Sequence, residues 1–198
     1  RVIPAGRFSR ELGTDDHCLR DLVAIVELGF NALRVYERPS SAFLRCCDER
    51  GLAVFISLKW ASNTDFVSRE SHILEALAAD VEALSGEAAV AGYFIGNEVP
   101  STLVRWIGGV RVRRFLEKAF DRLHQLAPAR LFSYANYPST EYLQPRNGDF
   151  VSFNIYLEER DAVRRYVRRL HHLADDRPLV ISEGFQGLRR AVVALLCR

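Results

Sequence analysis

Val90-Ala91-Gly92-Tyr93-Phe94-Ile95-Gly96-Asn97-Glu98 is an apolar run without a break that ends on an amide and a carboxylate. Pro178-Leu179-Val180-Ile181-Ser182-Glu183 follows the same plan further along the chain. A strand covered on both faces reads as continuously apolar, whereas a half-exposed strand alternates. Residues 90–98 and 178–183 therefore predict buried parallel strands, each delivering a glutamate where strand gives way to loop.

Working outward, four more runs rich in β-branched and aromatic residues occupy 31–36, 53–60, 130–137 and 150–157. Helical periodicity fills most of the gaps. Leu19, Leu22, Val23 and Val26 repeat at helical spacing before a stop at Gly29. Ser40 is placed to cap a helix running to Arg50, with Gly51 closing it. Ile73, Leu74, Leu77, Val81 and Leu84 form a stripe before Gly86; Leu116, Ala119, Phe120 and Leu123 form another before Pro128. Val163, Tyr166, Val167 and Leu170 form a third. Strands alternating with helices imply βαβ units on a parallel sheet.

The fold expected is α/β of the (β/α)8 barrel type, with about six of eight strands visible and the first and last missing. Residues 1–198 read as one domain, since no Pro-, Gly- or Ser-rich linker divides them. At 198 residues the chain is short for a complete barrel of about 250. It starts at Arg1 and has no methionine, which points to a piece of a longer protein. An open doubly wound sheet is the structural rival, although G-x-G-x-x-G and G-x-x-x-x-G-K-[ST] are both absent.

The composition, 48% hydrophobic and 26% charged, is that of an ordinary globular domain. A formal charge of +2 supplies no long-range attraction to nucleic acid or anionic membrane. Arg111, Arg113 and Arg114, and Arg164, Arg165, Arg168 and Arg169, read as solvated helix faces rather than phosphate-binding stripes. Cys18, Cys46, Cys47 and Cys197 show no C-x-x-C spacing, so free thiols and a reducing, cytoplasmic setting are expected. No apolar run is long enough to span a membrane, and no signal-peptide pattern is present. The five histidines show no H-E-x-x-H, and G-x-S-x-G is missing, so neither metal nor Ser-His-Asp chemistry is expected.

In a barrel of alternating strands and helices, catalytic groups sit at the carboxyl ends of strands. Glu98 and Glu183 both fall there. Two carboxylates across such a mouth can cleave a glycosidic bond, one giving a proton and the other attacking. Retention needs them close together; inversion leaves room for a water. Arg34 lies inside an apolar strand and needs a carboxylate partner, for which Glu183 is the candidate. Tyr156 can donate to the same carboxylate, and Asn97 can bind a sugar hydroxyl. Trp60, Tyr36, Tyr134 and Tyr137 offer ring faces near strand ends, to a pyranose or simply to the core.

These motifs resemble the clan A retaining glycoside hydrolases. Leu28-Gly29-Phe30-Asn31-Ala32-Leu33-Arg34-Val35-Tyr36 is similar to the second strand of the family 2 barrels of β-galactosidases and β-glucuronidases, and Phe43-Leu44 to Leu52 to the helix entering strand three. Gly96-Asn97-Glu98 resembles the clan's acid/base motif, and Leu179-Val180-Ile181-Ser182-Glu183 its nucleophile strand. Gly96-Asn97-Glu98-Val99-Pro100, Val104-Arg105-Trp106, Tyr134 to Tyr142 and Phe153-Asn154-Ile155-Tyr156-Leu157-Glu158 are more similar still to barrels found with bacterial family 2 glycosyltransferases.

The resemblance covers about Gly29 to Glu183. It implies Glu98 as acid/base, Glu183 as nucleophile, Asn97 on the substrate's 2-hydroxyl, Arg34 and Tyr156 around the nucleophile, and no metal or other cofactor. Tyr36, Trp60 and Tyr137 join the expected substrate-binding set. The substrate class is a β-linked glycoside or glucan, with a glycosyltransferase domain in the same or a neighbouring chain as partner. Gly184-Phe185-Gln186-Gly187 departs from the family's usual Gly-rich continuation. A rival function is a non-catalytic carbohydrate-binding or regulatory domain attached to a glycosyltransferase.

Overall fold

Helices stop and strands start at conformations that only some residues tolerate. In the computed structural model, which describes residues 16–60, 62, 64–184 and 195–197, the first helix, α1 (Asp16–Glu27), ends before Gly29 at φ 84°. Strand β1 (Ala32–Val35) follows. Helix α2 (Ser41–Asp48) is capped by Ser40, whose hydroxyl accepts from the Phe43 N–H at 3.1 Å, and Gly51 turns the chain at φ 66° into β2 (Ala53–Leu58). Next come α3 (Glu70–Glu82), β3 (Val90–Asn97), α4 (Ser101–Ile107), α5 (Gly109–Leu126) and β4 (Leu131–Asn136). A 3₁₀ segment, Pro138–Leu143, leads toward β5 (Val151–Ile155), then α6 (Arg160–Ala174), β6 (Leu179–Gly184) and β7 (Leu195–Cys197).

Among the described residues, seven strands form one sheet in the order β1-β2-β3-β4-β5-β6-β7. The first six are parallel; β7 pairs antiparallel with β6. The spatial order never reverses, so the sheet lacks the switch point of a doubly wound fold. It curls as a half-barrel, as the sequence predicted. The antiparallel β7 was not foreseen, nor was the short α4, which buries Val104 with Leu103 and Ile107 packed alongside.

One face of the sheet packs on the helices: Val54, Ile56, Val90, Ile95, Phe132 and Tyr134 join Leu77, Val81, Leu116, Phe120 and Leu123 in the main core. The stripes predicted for α3 and α5 are buried there. The stripe predicted for α1 is a correction. Val23 is 44% exposed and Val26 39%, while Cys18 and Leu22 turn inward with Ile25 packed alongside. Both sets have helical spacing, and packing against the sheet chooses between them. A second core joins Val151, Phe153, Ile155 and Leu179 to Leu170 of α6.

The opposite, concave face carries a floor of Phe94, Ala135, Phe150 and Val180 with Phe55 packed on it. Phe55 meets Phe150 edge-on at 5.8 Å between centroids. Above this apolar floor the same face turns polar. Glycine decides one approach within the sheet: a Cβ on Gly92 would stand 2.2 Å from the carbonyl oxygen of Leu131, so β3 and β4 pair closely only because none is there. Cys46 and Cys47 are free thiols.

Candidate active site

Arg34 stands on the concave face at the carboxyl half of β1, 6% exposed, in the polar layer over the apolar floor. Its guanidinium lies 4.2 Å from the Phe94 ring centroid and 4.6 Å from that of Tyr36. It donates from Nε to Ser57 Oγ (2.9 Å), from Nη1 to Glu183 Oε1 (3.2 Å) and from Nη2 to Asn97 Oδ1 (2.9 Å). Burial pulls its pKa below the usual range, while the neighbouring acids pull it back up. Arg34 and Glu183 therefore form the ion pair expected of them, and one cation gathers residues from β1, β2, β3 and β6.

Glu183 also accepts from two phenols, Tyr36 Oη to Oε1 and Tyr156 Oη to Oε2, each at 2.5 Å. Three donors, one of them cationic, suit an ionised, acceptor-only carboxylate. Burial, first, and the adjacent Glu183 raise the pKa of both phenols, so both keep the protons they donate. Tyr36 was expected to offer a ring face. Its hydroxyl is committed to Glu183, and Arg34 covers one side of the ring.

Glu98 stands one residue beyond the end of β3. Its Oε1 accepts from Asn154 Nδ2 at 2.8 Å, and Asn97 Oδ1 accepts from the same Nδ2 at 3.1 Å. The Tyr156 hydroxyl bonds Glu183 directly, and burial, Glu183 and then Glu98 raise its pKa.

Both glutamates follow an irregularity in register. Between β3 and β4 the pairing moves from Phe94↔Ser133 to Asn97↔Ala135, one extra residue on β3. Between β5 and β6 it moves from Phe153↔Ile181 to Asn154↔Glu183, one extra residue on β6. Such bulges re-aim the side chains that follow them. On β6, Val180 and Ser182 face the concave side, and strict alternation would send Glu183 to the helices; the extra residue turns it to Arg34. On β3, Gly96 carries the bulge at φ 87°, and a Cβ there would press the Trp60 indole at 3.1 Å. Glu98 itself sits at φ 46°, a left-handed backbone costing a non-glycine residue about 1 kcal/mol, held by its N–H to Ala135 O at 2.9 Å.

The remaining aromatic candidates differ in their surroundings. Tyr134 is fully buried, a correction to its reading as an available ring face; its hydroxyl accepts from the Val99 N–H at 3.0 Å. Tyr137 Oη accepts from the Ser101 N–H at 3.0 Å, so the two tyrosines clamp the loop behind Glu98. Trp60 packs on Phe66 and Phe115 at 4.9 and 5.1 Å between centroids, and its indole N–H has no partner among the described residues. Sequence reasoning missed Asn154, Ser182, Ser152 and Ser57 as members of the network. Asn154 carried the signal that revealed Arg34, a polar residue inside the buried strand Val151–Ile155. The Phe185-Gln186-Gly187 departure lies outside the described residues.

No family model matches the chain. A 1,3-β-glucanosyltransferase of Schizosaccharomyces pombe, gas4, is 28% identical over 120 residues, 53% of this chain and 26% of its own. Among solved structures, an FMN-binding β-glucuronidase from Faecalibacterium prausnitzii L2-6 superposes with a TM-score of 0.69 at 24% identity, over 84% of this chain and 26% of its own. A Bacteroides uniformis β-glucuronidase gives 0.71 at 16% identity, over 86% and 22%. A family 2 β-galacturonidase from Eisenbergiella tayi gives 0.65 at 20%, over 86% and 32%. The chain thus has the fold of glycoside hydrolase barrels and spans about a fifth to a third of the length of these proteins.

Proposed function

We propose that this chain carries the two catalytic carboxylates of a retaining enzyme acting on β-linked glycosides or glucans by double displacement. The observation that carries the reading is the single hydrogen-bonded network that joins Glu98 and Glu183: Arg34 bridges Glu183 to Asn97, and Asn154 ties Asn97 to Glu98, which gathers at one site the two carboxylates that double displacement needs. Glu183, held by Arg34, Tyr36 and Tyr156, attacks the anomeric carbon. Glu98 gives its proton to the departing glycosidic oxygen, and the bond to that oxygen breaks as the glycosyl ester to Glu183 forms. Glu98 then takes a proton from the incoming hydroxyl, which displaces Glu183 from the sugar. Asn97 spends its Oδ1 on Arg34 and Asn154, which leaves the two N–H groups of Nδ2 for the substrate's 2-hydroxyl. Trp60 and Tyr137 border the site as substrate contacts.

The acceptor is water in a hydrolase and a sugar hydroxyl in a transferase. The likeness to a 1,3-β-glucanosyltransferase favours keeping transfer as the second reading. An attached glycosyltransferase domain, in this or a neighbouring chain, would supply or receive the glucan. Turnover of aryl β-glycosides and β-glucan oligomers by the wild type, Glu98→Gln and Glu183→Gln tests the proposal. Loss of at least about 10³-fold in Glu183→Gln supports it. Near-normal turnover in that variant refutes it, and saccharide binding without wild-type turnover assigns the chain to the carbohydrate-binding class.

A further inference from the structure

Asn154 is fully buried on β5, between the two glutamates, and every one of its polar atoms is used. The direction of each bond around it follows from one fact: a guanidinium donates and never accepts. Arg34 obliges Asn97 to turn Oδ1 toward it. That oxygen also receives Asn154, which must present its NH₂ on that side. The second hydrogen of the same NH₂ reaches Glu98 Oε1. Asn154 Oδ1 then faces away and accepts from Ser182 Oγ at 2.7 Å, and Ser182 accepts from Ser152 Oγ at 2.6 Å. Ser152 and Ser182 are buried as well, so no solvent competes for these groups. The chain of bonds has one permitted polarity, set by the cation.

Resting on the reading of Glu98 as proton donor, we infer that Asn154 is the positioning residue of that donor. Its amide ties Glu98 Oε1 to Asn97 Oδ1, fixing the rotamer of a side chain whose own backbone is held at φ 46°. The other carboxyl oxygen is left to serve the departing group. Ser182, the extra residue of the β6 bulge, locks the amide from behind, so the irregularity that aims Glu183 also orients Asn154 and, through it, Glu98.

The test compares Asn154→Leu and Asn154→Asp with wild type on two glycosides of one sugar. Phenyl β-glycoside needs a proton on its leaving group; 2,4-dinitrophenyl β-glycoside does not. General acid catalysis contributes about 10²–10⁴-fold, and a small misplacement forfeits much of it. Both variants are expected to shift the ratio of the two kcat/KM values by at least about 10-fold against the phenyl substrate. A merely structural asparagine would lower both values alike and leave the ratio unchanged, which would overturn the inference. A crystal structure of Asn154→Leu decides independently of turnover: the Glu98 carboxylate should leave its wild-type position while the Arg34–Glu183 pair stays. An undisturbed Glu98 would overturn the inference. Wild type inactive on both substrates would instead count against the proposed function, with the crystal structure still judging Asn154.

Discussion

Arg34 and Glu183 can be uncoupled without any substrate. A double-mutant cycle with Arg34→Met and Glu183→Gln, read by urea unfolding, isolates their charge interaction. The pair is 3.2 Å apart, with side chains 2% and 25% exposed. At an effective dielectric constant of about 20, Coulomb's law gives roughly 5 kcal/mol. The exposed part of Glu183 lowers this, and so does the neutral hydrogen bond that Gln can still accept. A coupling energy of about 1.5 kcal/mol remains, inside the range measured for contacting residues. Arg34→Met alone should cost about 3 kcal/mol, because Asn97 and Ser57 lose a donor along with Glu183. Glu183→Gln alone should cost less, since Tyr36 and Tyr156 can still donate. Both values come from midpoint shifts at unchanged m. A coupling below about 0.5 kcal/mol, the scatter of additive pairs, would refute the claim that this ion pair organises the site.

Two further outcomes probe the frame around it. Gly92→Ala would force β3 and β4 apart at Leu131, costing about 2 kcal/mol and lowering Tm by roughly 4–8 °C by calorimetry; an unchanged Tm would contradict the close approach. Burial raises the Tyr134 pKa above its ordinary value of 10.0, so its stabilisation is full below pH 10 and is lost as pH rises toward the folded value. Tyr134→Phe should cost about 1 kcal/mol at pH 7, from the orphaned Val99 N–H, and the gap to wild type should close by about 1.4 kcal/mol per pH unit above 10. A gap that stays constant to pH 11 in urea unfolding would count against this.

Much of this was legible because the parallel strands are covered on both faces. Val90 to Ile95 and Leu179 to Ile181 announced themselves by unbroken apolarity, and the glutamates by interrupting it. The Arg34–Glu183 pair followed from the cost of burying a lone cation. The bulges did not show, because register is a property of two strands; Gly96 hinted at one, while Ser182 gave no sign of the other. The buried face of α1 was misjudged because Cys18, Leu22 and Ile25 satisfy helical spacing as well as Leu19, Leu22 and Val26 do. Tyr134 looked like a sugar platform because sequence places a ring near a strand end but says nothing of how deeply it is buried.

The central claim concerns a covalent bond to Glu183. Incubation with 2,4-dinitrophenyl 2-deoxy-2-fluoro β-glycosides of the gluco, galacto and manno series, followed by intact mass and peptide mapping, tests it directly. The account predicts one glycosyl adduct per chain, on Glu183, absent in Glu183→Gln. An adduct on another residue, or none on protein that is folded by circular dichroism and turns over the parent glycoside, would contradict it.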